Sequence, residues 1–155
     1  MSDTRLISRS PIKLLTEDHE LLGSLLEAYD DLAPEQTAEQ IDLLQRIDEE
    51  IARHIGTEEA LFYPTLLQLH DPRVRERVAG ALAEHRVLES VAMNVREADT
   101  TRERDAAVKS LRRHALRHMD FEELEVFPFC WGLPRVTLNQ MGLEIEERRS
   151  REGFF

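Results

Sequence analysis

The chain has 155 residues, enough for one well-buried core, and its 41% apolar and 33% charged side chains are an ordinary balance for a folded domain. A formal charge of -11 argues against nucleic acid and against anionic membranes, both of which call for a basic face. Cys130 is the only cysteine, no 18-residue apolar span occurs, and Met1 to Arg5 run into no apolar stretch of signal length, so a soluble, cytoplasmic protein without disulfides is expected.

Ser10-Pro11 reads as the cap and first position of a helix on which Ile12, Leu15, His19, Leu22, Leu26 and Tyr29 recur at three- and four-residue steps, ending near Ala33-Pro34. A second helix opens near Thr37 and carries Leu44, Ile47, Ile51, His54, Glu58 and Leu61 on one stripe; Pro64 is expected to kink its last turns. His70 falls at its end, where a cation complements the helix dipole. A third helix starts at Asp71-Pro72 and places Val74, Val78, Ala81 or Leu82, His85, Leu88 or Glu89, and Ala92 along one face. The fourth follows Thr100-Thr101 and runs through Leu111, Ala115, His118, Glu122 and Val126 to Pro128; a short fifth helix spans about Thr137 to Arg148. No segment alternates with the period of a strand. The fold expected is an all-α, up-down-up-down four-helix bundle with an added C-terminal helix. Cys130, beside Trp131, reads as a small buried apolar residue rather than a nucleophile.

Two segments are copies of each other. His54 to Pro64 and His118 to Pro128 both read His-x3-Glu-Glu-x3-aromatic-Pro, 64 residues apart (118 minus 54). Asp18-His19 and Glu84-His85 are related by a similar offset of 66 (85 minus 19). Residues four apart on a helix share a face, so His54 and Glu58, like His118 and Glu122, can reach one metal ion. With helices two and four parallel, the two glutamates meet at one level and can bridge two ions about 3.5–4 Å apart. With 31 acidic residues in 155, a lone His-x3-Glu arises by chance about one time in five. Two copies with matching flanks and two further histidines on the core-facing stripe are a much stronger signal. Without metal, four imidazoles and two carboxylates would replace apolar packing at a cost of several kcal/mol for each unpaired charge.

On these residues the chain resembles the hemerythrin-like family, the HHE cation-binding domain, whose pattern is His, His-x3-Glu, His, His-x3-Glu, one element per helix. The likeness covers about residues 11–130, within a single domain taken as 1–155. It implies two iron ions with an oxo or hydroxo bridge: His19 and His54 on one, His85 and His118 on the other, Glu58 and Glu122 bridging both. Oxygen-carrying hemerythrins have a fifth histidine one turn after the third-helix histidine, where this chain has Glu89, and an aspartate five residues after the last histidine, where this chain has Glu122 after four. Two histidines, two carboxylate oxygens and one bridging oxygen leave a vacancy on each octahedral ion, unless Glu89 or water fills it. Simple oxygen carriage is therefore disfavoured against chemistry with dioxygen, nitric oxide or peroxide, by a sensor or store or by an enzyme that consumes peroxide or nitric oxide or donates iron to damaged centres. Glu89 is read first as an acidic residue at the bundle edge, with ligation as its alternative.

Of the neighbours, His114 is expected to be partly exposed, with a supporting role at the metal as the alternative. Asp18, Glu59, Glu84 and Glu123 adjoin ligands and are read as surface ion pairs ahead of a role in orienting imidazoles. Phe62, Tyr63, Phe121 and Phe127 are expected in the core, with Tyr63 able to hydrogen-bond near the metal or quench an oxidant. A zinc-bound or metal-free structural bundle is a third possibility. Ferritin-like di-iron oxidases need Glu-x2-His on two helices, and no histidine here has a glutamate three residues before it.

Overall fold

The computed structural model describes residues 10–152, and no strand occurs among them. Helix α1 (Pro11–Asp31) starts where Ser10 accepts a hydrogen bond from the Lys13 backbone N–H at 3.1 Å. Helix α3 (Pro72–Glu97) is capped by Asp71, which accepts from the Arg73 N–H at 2.9 Å, and α4 (Thr101–Phe121) by Thr100, which accepts from the Glu103 N–H at 3.1 Å. Each cap satisfies an N–H that the first helical turn leaves without a partner. Helix α2 is Thr37–Thr57, and α5 is Arg135–Arg151, beginning directly after Pro134 and running past both ends of the expected segment.

Both motif-bearing helices continue beyond their regular part in the same way. A five-residue π turn follows α2 at Glu58–Phe62 and α4 at Glu122–Val126. The cause is a proline six residues after each glutamate. Pro64 and Pro128 cannot donate an N–H to continue the helical ladder. Instead the chain widens, and the N–H groups of Tyr63 and Phe127 reach the carbonyls of Glu58 and Glu122. The expected kink at Pro64 is thus taken up as a π turn, which sets residues five apart, Glu58 with Tyr63 and Glu122 with Phe127, above one another. A tight turn, Leu67–Leu69, ends the α2 arm at His70, whose left-handed backbone (φ 54°) turns the chain toward α3.

Helix α1 packs on α2 and α3 on α4, while α5 lies against α1 and the first π turn. The core is divided in two. One apolar cluster includes Leu22, Leu26, Ile47, Ile51, Leu88, Val95 and Leu111; the other includes Leu14, Leu15, Phe62, Leu66, Val78, Val126 and Ile145. Along every one of the four bundle helices, a candidate ligand lies between the two clusters. On α3 it is Ala81 and Leu88 that are buried, whereas Glu89 is exposed. Cys130 is fully buried in the second cluster, and burial pushes its thiol up to about 12, which accords with a packing role.

Candidate metal centre

His19, His54, Glu58, His85, His118 and Glu122 converge in the layer between the apolar clusters, and none is more than 6% exposed. Their donor atoms form two overlapping groups. His19 and His54 present their Nε2 atoms 3.2 Å apart; His19 Nε2 lies 3.1 Å from Glu122 Oε1 and His54 Nε2 lies 3.0 Å from Glu58 Oε1. In the other group, His85 and His118 Nε2 are 3.1 Å apart, His85 Nε2 is 3.1 Å from Glu58 Oε1, and His118 Nε2 is 3.3 Å from Glu122 Oε1. Both glutamates belong to both groups.

The spacing fits metal ligation. Donors at right angles on one ion, with bonds of about 2.0–2.2 Å, lie about 2.8–3.1 Å apart. The close nitrogen–nitrogen approaches match that spacing, yet two lone pairs aimed at one point repel unless a proton or a cation lies between them. Glu58 Oε2 is buried and without a hydrogen-bond partner, the kind of orphaned acceptor that a cation satisfies. The donor set is two imidazoles plus carboxylate oxygen in each group, with no thiolate, which suits a first-row transition-metal cation.

The other ring nitrogens point outward to four acids. His54 Nδ1 meets Asp18 at 3.0 Å, His85 Nδ1 meets Glu59 at 2.8 Å, His118 Nδ1 meets Glu84 at 3.0 Å and His19 Nδ1 meets Glu123 at 3.2 Å. A carboxylate only accepts, so each Nδ1 carries a proton, and each Nε2 faces the centre, where it offers its lone pair once a cation is bound. This corrects the expectation of surface ion pairing for Asp18, Glu59, Glu84 and Glu123. The acids form a closed circuit: α1 holds the α2 imidazole, the α2 arm holds that of α3, α3 holds that of α4, and the α4 arm holds that of α1. Behind Asp18 stands Arg149 of α5, which is 3% exposed and donates to Asp18 Oδ1 at 2.5 Å and to the Leu14 carbonyl.

The hemerythrin HHE cation-binding domain model matches residues 10–130, four-fifths of the sequence and the whole of the four-helix layer just described. The chain belongs to the hemerythrin HHE cation-binding family. Its fold is shared with a crystal structure of a hemerythrin HHE cation-binding domain-containing protein from Mycobacterium kansasii, an Rv2633c homolog: the TM-score is 0.76 at 21% identity, over 92% of this chain and 86% of that one. No protein of curated function matches the chain.

Electrostatics in this hemerythrin-like centre favour positive charge. Burial disfavours a charged His118, but Glu122, Glu58 and Glu84 outweigh it and push its pKa up to about 11. His54 is also held well above its usual range, burial again opposing while Glu58, Asp18 and Glu122 prevail. For Glu122, burial works against ionisation, but hydrogen bonds from His118, His19 and His54 hold it well below the carboxylate range. Glu89, at the place of the carriers' fifth histidine, is half-exposed and pairs with Arg86 at 2.9 Å; it is not among the converging donors. His114 is partly buried, as expected. Tyr63 is the further functional group: its hydroxyl donates to Glu122 Oε2 at 2.5 Å and lies 3.2 Å from His85 Nε2. The sequence places Tyr63 in the core and allows it a hydrogen bond beside the ligands; it is buried and makes that bond to Glu122. Burial first, then the Glu58 and Glu122 charges, raise its pKa and keep the phenol protonated.

Proposed function

We propose that His19, His54, Glu58, His85, His118 and Glu122 hold two iron ions, His19 with His54 and His85 with His118, with the glutamates and an oxo or hydroxo group bridging them. The observation that carries this reading is the sharing of Glu58 and Glu122 between two buried donor groups. Bound there, iron supplies a redox-active, Lewis-acidic centre for dioxygen, nitric oxide or peroxide, in a protein that reacts with or senses such a ligand. The chain's own part is to orient four imidazoles through the outer acids, to keep the donors dry, and to hold a proton on Tyr63.

Metal analysis of protein from iron-replete cells should give about two irons per chain, with near-ultraviolet oxo-bridge absorption; one zinc, or no metal, defeats the proposal. Replacing a shared ligand and an unshared one sharpens the test. Glu58→Ala should lose both ions, whereas His85→Ala should lose mainly one.

A second reading is catalytic turnover, either consuming hydrogen peroxide or nitric oxide or delivering iron for repair of damaged centres. The observation favouring it is Glu89, which faces outward and leaves each donor group with two histidines. Neither ion position then has an extra imidazole to close it. Stopped-flow mixing of the iron-loaded protein with peroxide separates the readings: sustained turnover supports an enzyme, and a stable adduct without turnover supports a sensor or store.

A further inference from the structure

The two halves of the centre are near-copies, and at one position beside the donors they differ by a single hydroxyl. The 64-residue offset pairs Tyr63 with Phe127. Both rings follow a π turn and both stack on a candidate ligand: Tyr63 on His85 with centroids 5.5 Å apart, Phe127 on His19 with centroids 5.6 Å apart. What differs is the hydroxyl. Tyr63 Oη donates to Glu122 Oε2 and lies within 3.4 Å of Glu58 Oε1 and 3.2 Å of His85 Nε2. Phe127 has no donor to offer Glu58 in return. Glu58 Oε2, the counterpart of the oxygen that Tyr63 satisfies, is the one left buried and without a partner.

We propose that Tyr63 makes the two cation positions unequal. As a neutral phenol it restrains Glu122 through Oε2, and its one O–H can turn from that oxygen to a small anionic ligand, built on oxygen or nitrogen, at the His85–His118 position. The His19–His54 position, walled by Phe127, has no such donor and keeps Glu58 Oε2 free for a cation. The inference rests on the two-iron reading above. A hydrogen bond to an ionised acceptor in a water-poor site is among the stronger polar contacts, so its loss registers clearly in ligand affinity.

The test uses the full iron-loaded chain, with azide as the probe and iron content measured first. Wild-type protein should show two unequal iron environments by Mössbauer spectroscopy and a bound-azide infrared stretch that shifts in deuterium oxide. Tyr63→Phe, at unchanged iron content, should bind azide about tenfold more weakly and lose the deuterium shift. Phe127→Tyr should supply the missing donor to Glu58 and bring the two iron environments closer together. Together the two changes should move the donor to the other half and restore an inequality. An azide stretch and affinity unaffected by Tyr63→Phe overturns the inference. So does a visible phenolate-to-iron charge-transfer band that this substitution abolishes, because Tyr63 would then be a ligand and not a neutral donor. Fewer than two irons in the wild-type chain would overturn the two-iron reading itself, a failure visible before any variant is compared.

Discussion

Arg149 ties the fifth helix to the metal layer, and its removal should be expensive. Its guanidinium bonds Asp18 and the Leu14 carbonyl from a position 3% exposed, and Asp18 in turn holds His54. Arg149→Met keeps most of the side-chain volume, so the cost is electrostatic: it leaves a buried carboxylate and a carbonyl short of a donor. Breaking a buried ion pair from one side costs about 3–5 kcal/mol. Asp18 keeps its bond from His54, and the 3.5 Å contact to half-exposed Glu17 adds little, so about 3 kcal/mol is the appropriate figure. For 155 residues the unfolding entropy is about 0.33 kcal/mol per kelvin, which converts the loss to a fall in Tm of about 9 °C. Thermal unfolding of metal-free protein, followed by circular dichroism, measures it. Arg151→Met, at a side chain 69% exposed, is the control and should shift Tm by no more than about 1–2 °C. If Arg149→Met falls no further than the control, the Arg149–Asp18 contact has no energetic content.

Chelating the metal should lower Tm by at least about 8 °C if the protein had been saturated at a hundredfold excess over Kd, because one bound ion then contributes about 2.7 kcal/mol; an unchanged melting curve refutes this. Cys130, whose thiol is pushed up to about 12, has a thiolate fraction at pH 8 of about one in ten thousand, so native protein should react with iodoacetamide at least about a thousandfold more slowly than unfolded protein. Because only the thiolate reacts, native labelling should rise with pH; labelling at equal rates in both states would contradict the burial. Gly23 lies inside α1 with nothing within 4 Å of an added Cβ, so Gly23→Ala should stabilise by about 0.5–1 kcal/mol and raise Tm by about 2–3 °C in the same assay.

Much of this arrangement can be read from local spacing. Ser10-Pro11, Asp71-Pro72 and Thr100 mark helix starts because capping chemistry is local. The six candidate ligands stand out because sharing a helix face demands a four-residue step, and the chain repeats it. The partners of the outer acids are not legible locally, because each one serves the imidazole of a neighbouring helix and not the ligand beside it in sequence. The duplication did contain a clue: Asp18 and Glu84 each precede a lone histidine, while Glu59 and Glu123 each follow a motif glutamate. The π turns were also half-visible, since both copies place proline six residues after the glutamate. Arg149 had no such signal. Its partner Asp18 is 131 residues away, and only the docking of α5 brings them together.

The closed circuit of acids bears on how the centre is assembled. Because every imidazole is oriented from the next helix, ligand geometry is set by the mutual rotation of all four helices and not by any one of them. That rotation is fixed by apolar packing on both sides of the polar layer, from Leu26, Ile47 and Leu111 on one side to Leu15, Phe62 and Val126 on the other. A small zinc domain without such cores unfolds when its metal leaves. Here two apolar clusters hold the helices in register, and the outer acids keep the Nδ1 protons in place whether or not a cation is bound. The costs that remain without metal are local: four closely set imidazoles, two buried carboxylates and the orphaned Glu58 Oε2. Loss of metal should therefore weaken the bundle without unfolding it, with helical content retained as the melting temperature falls.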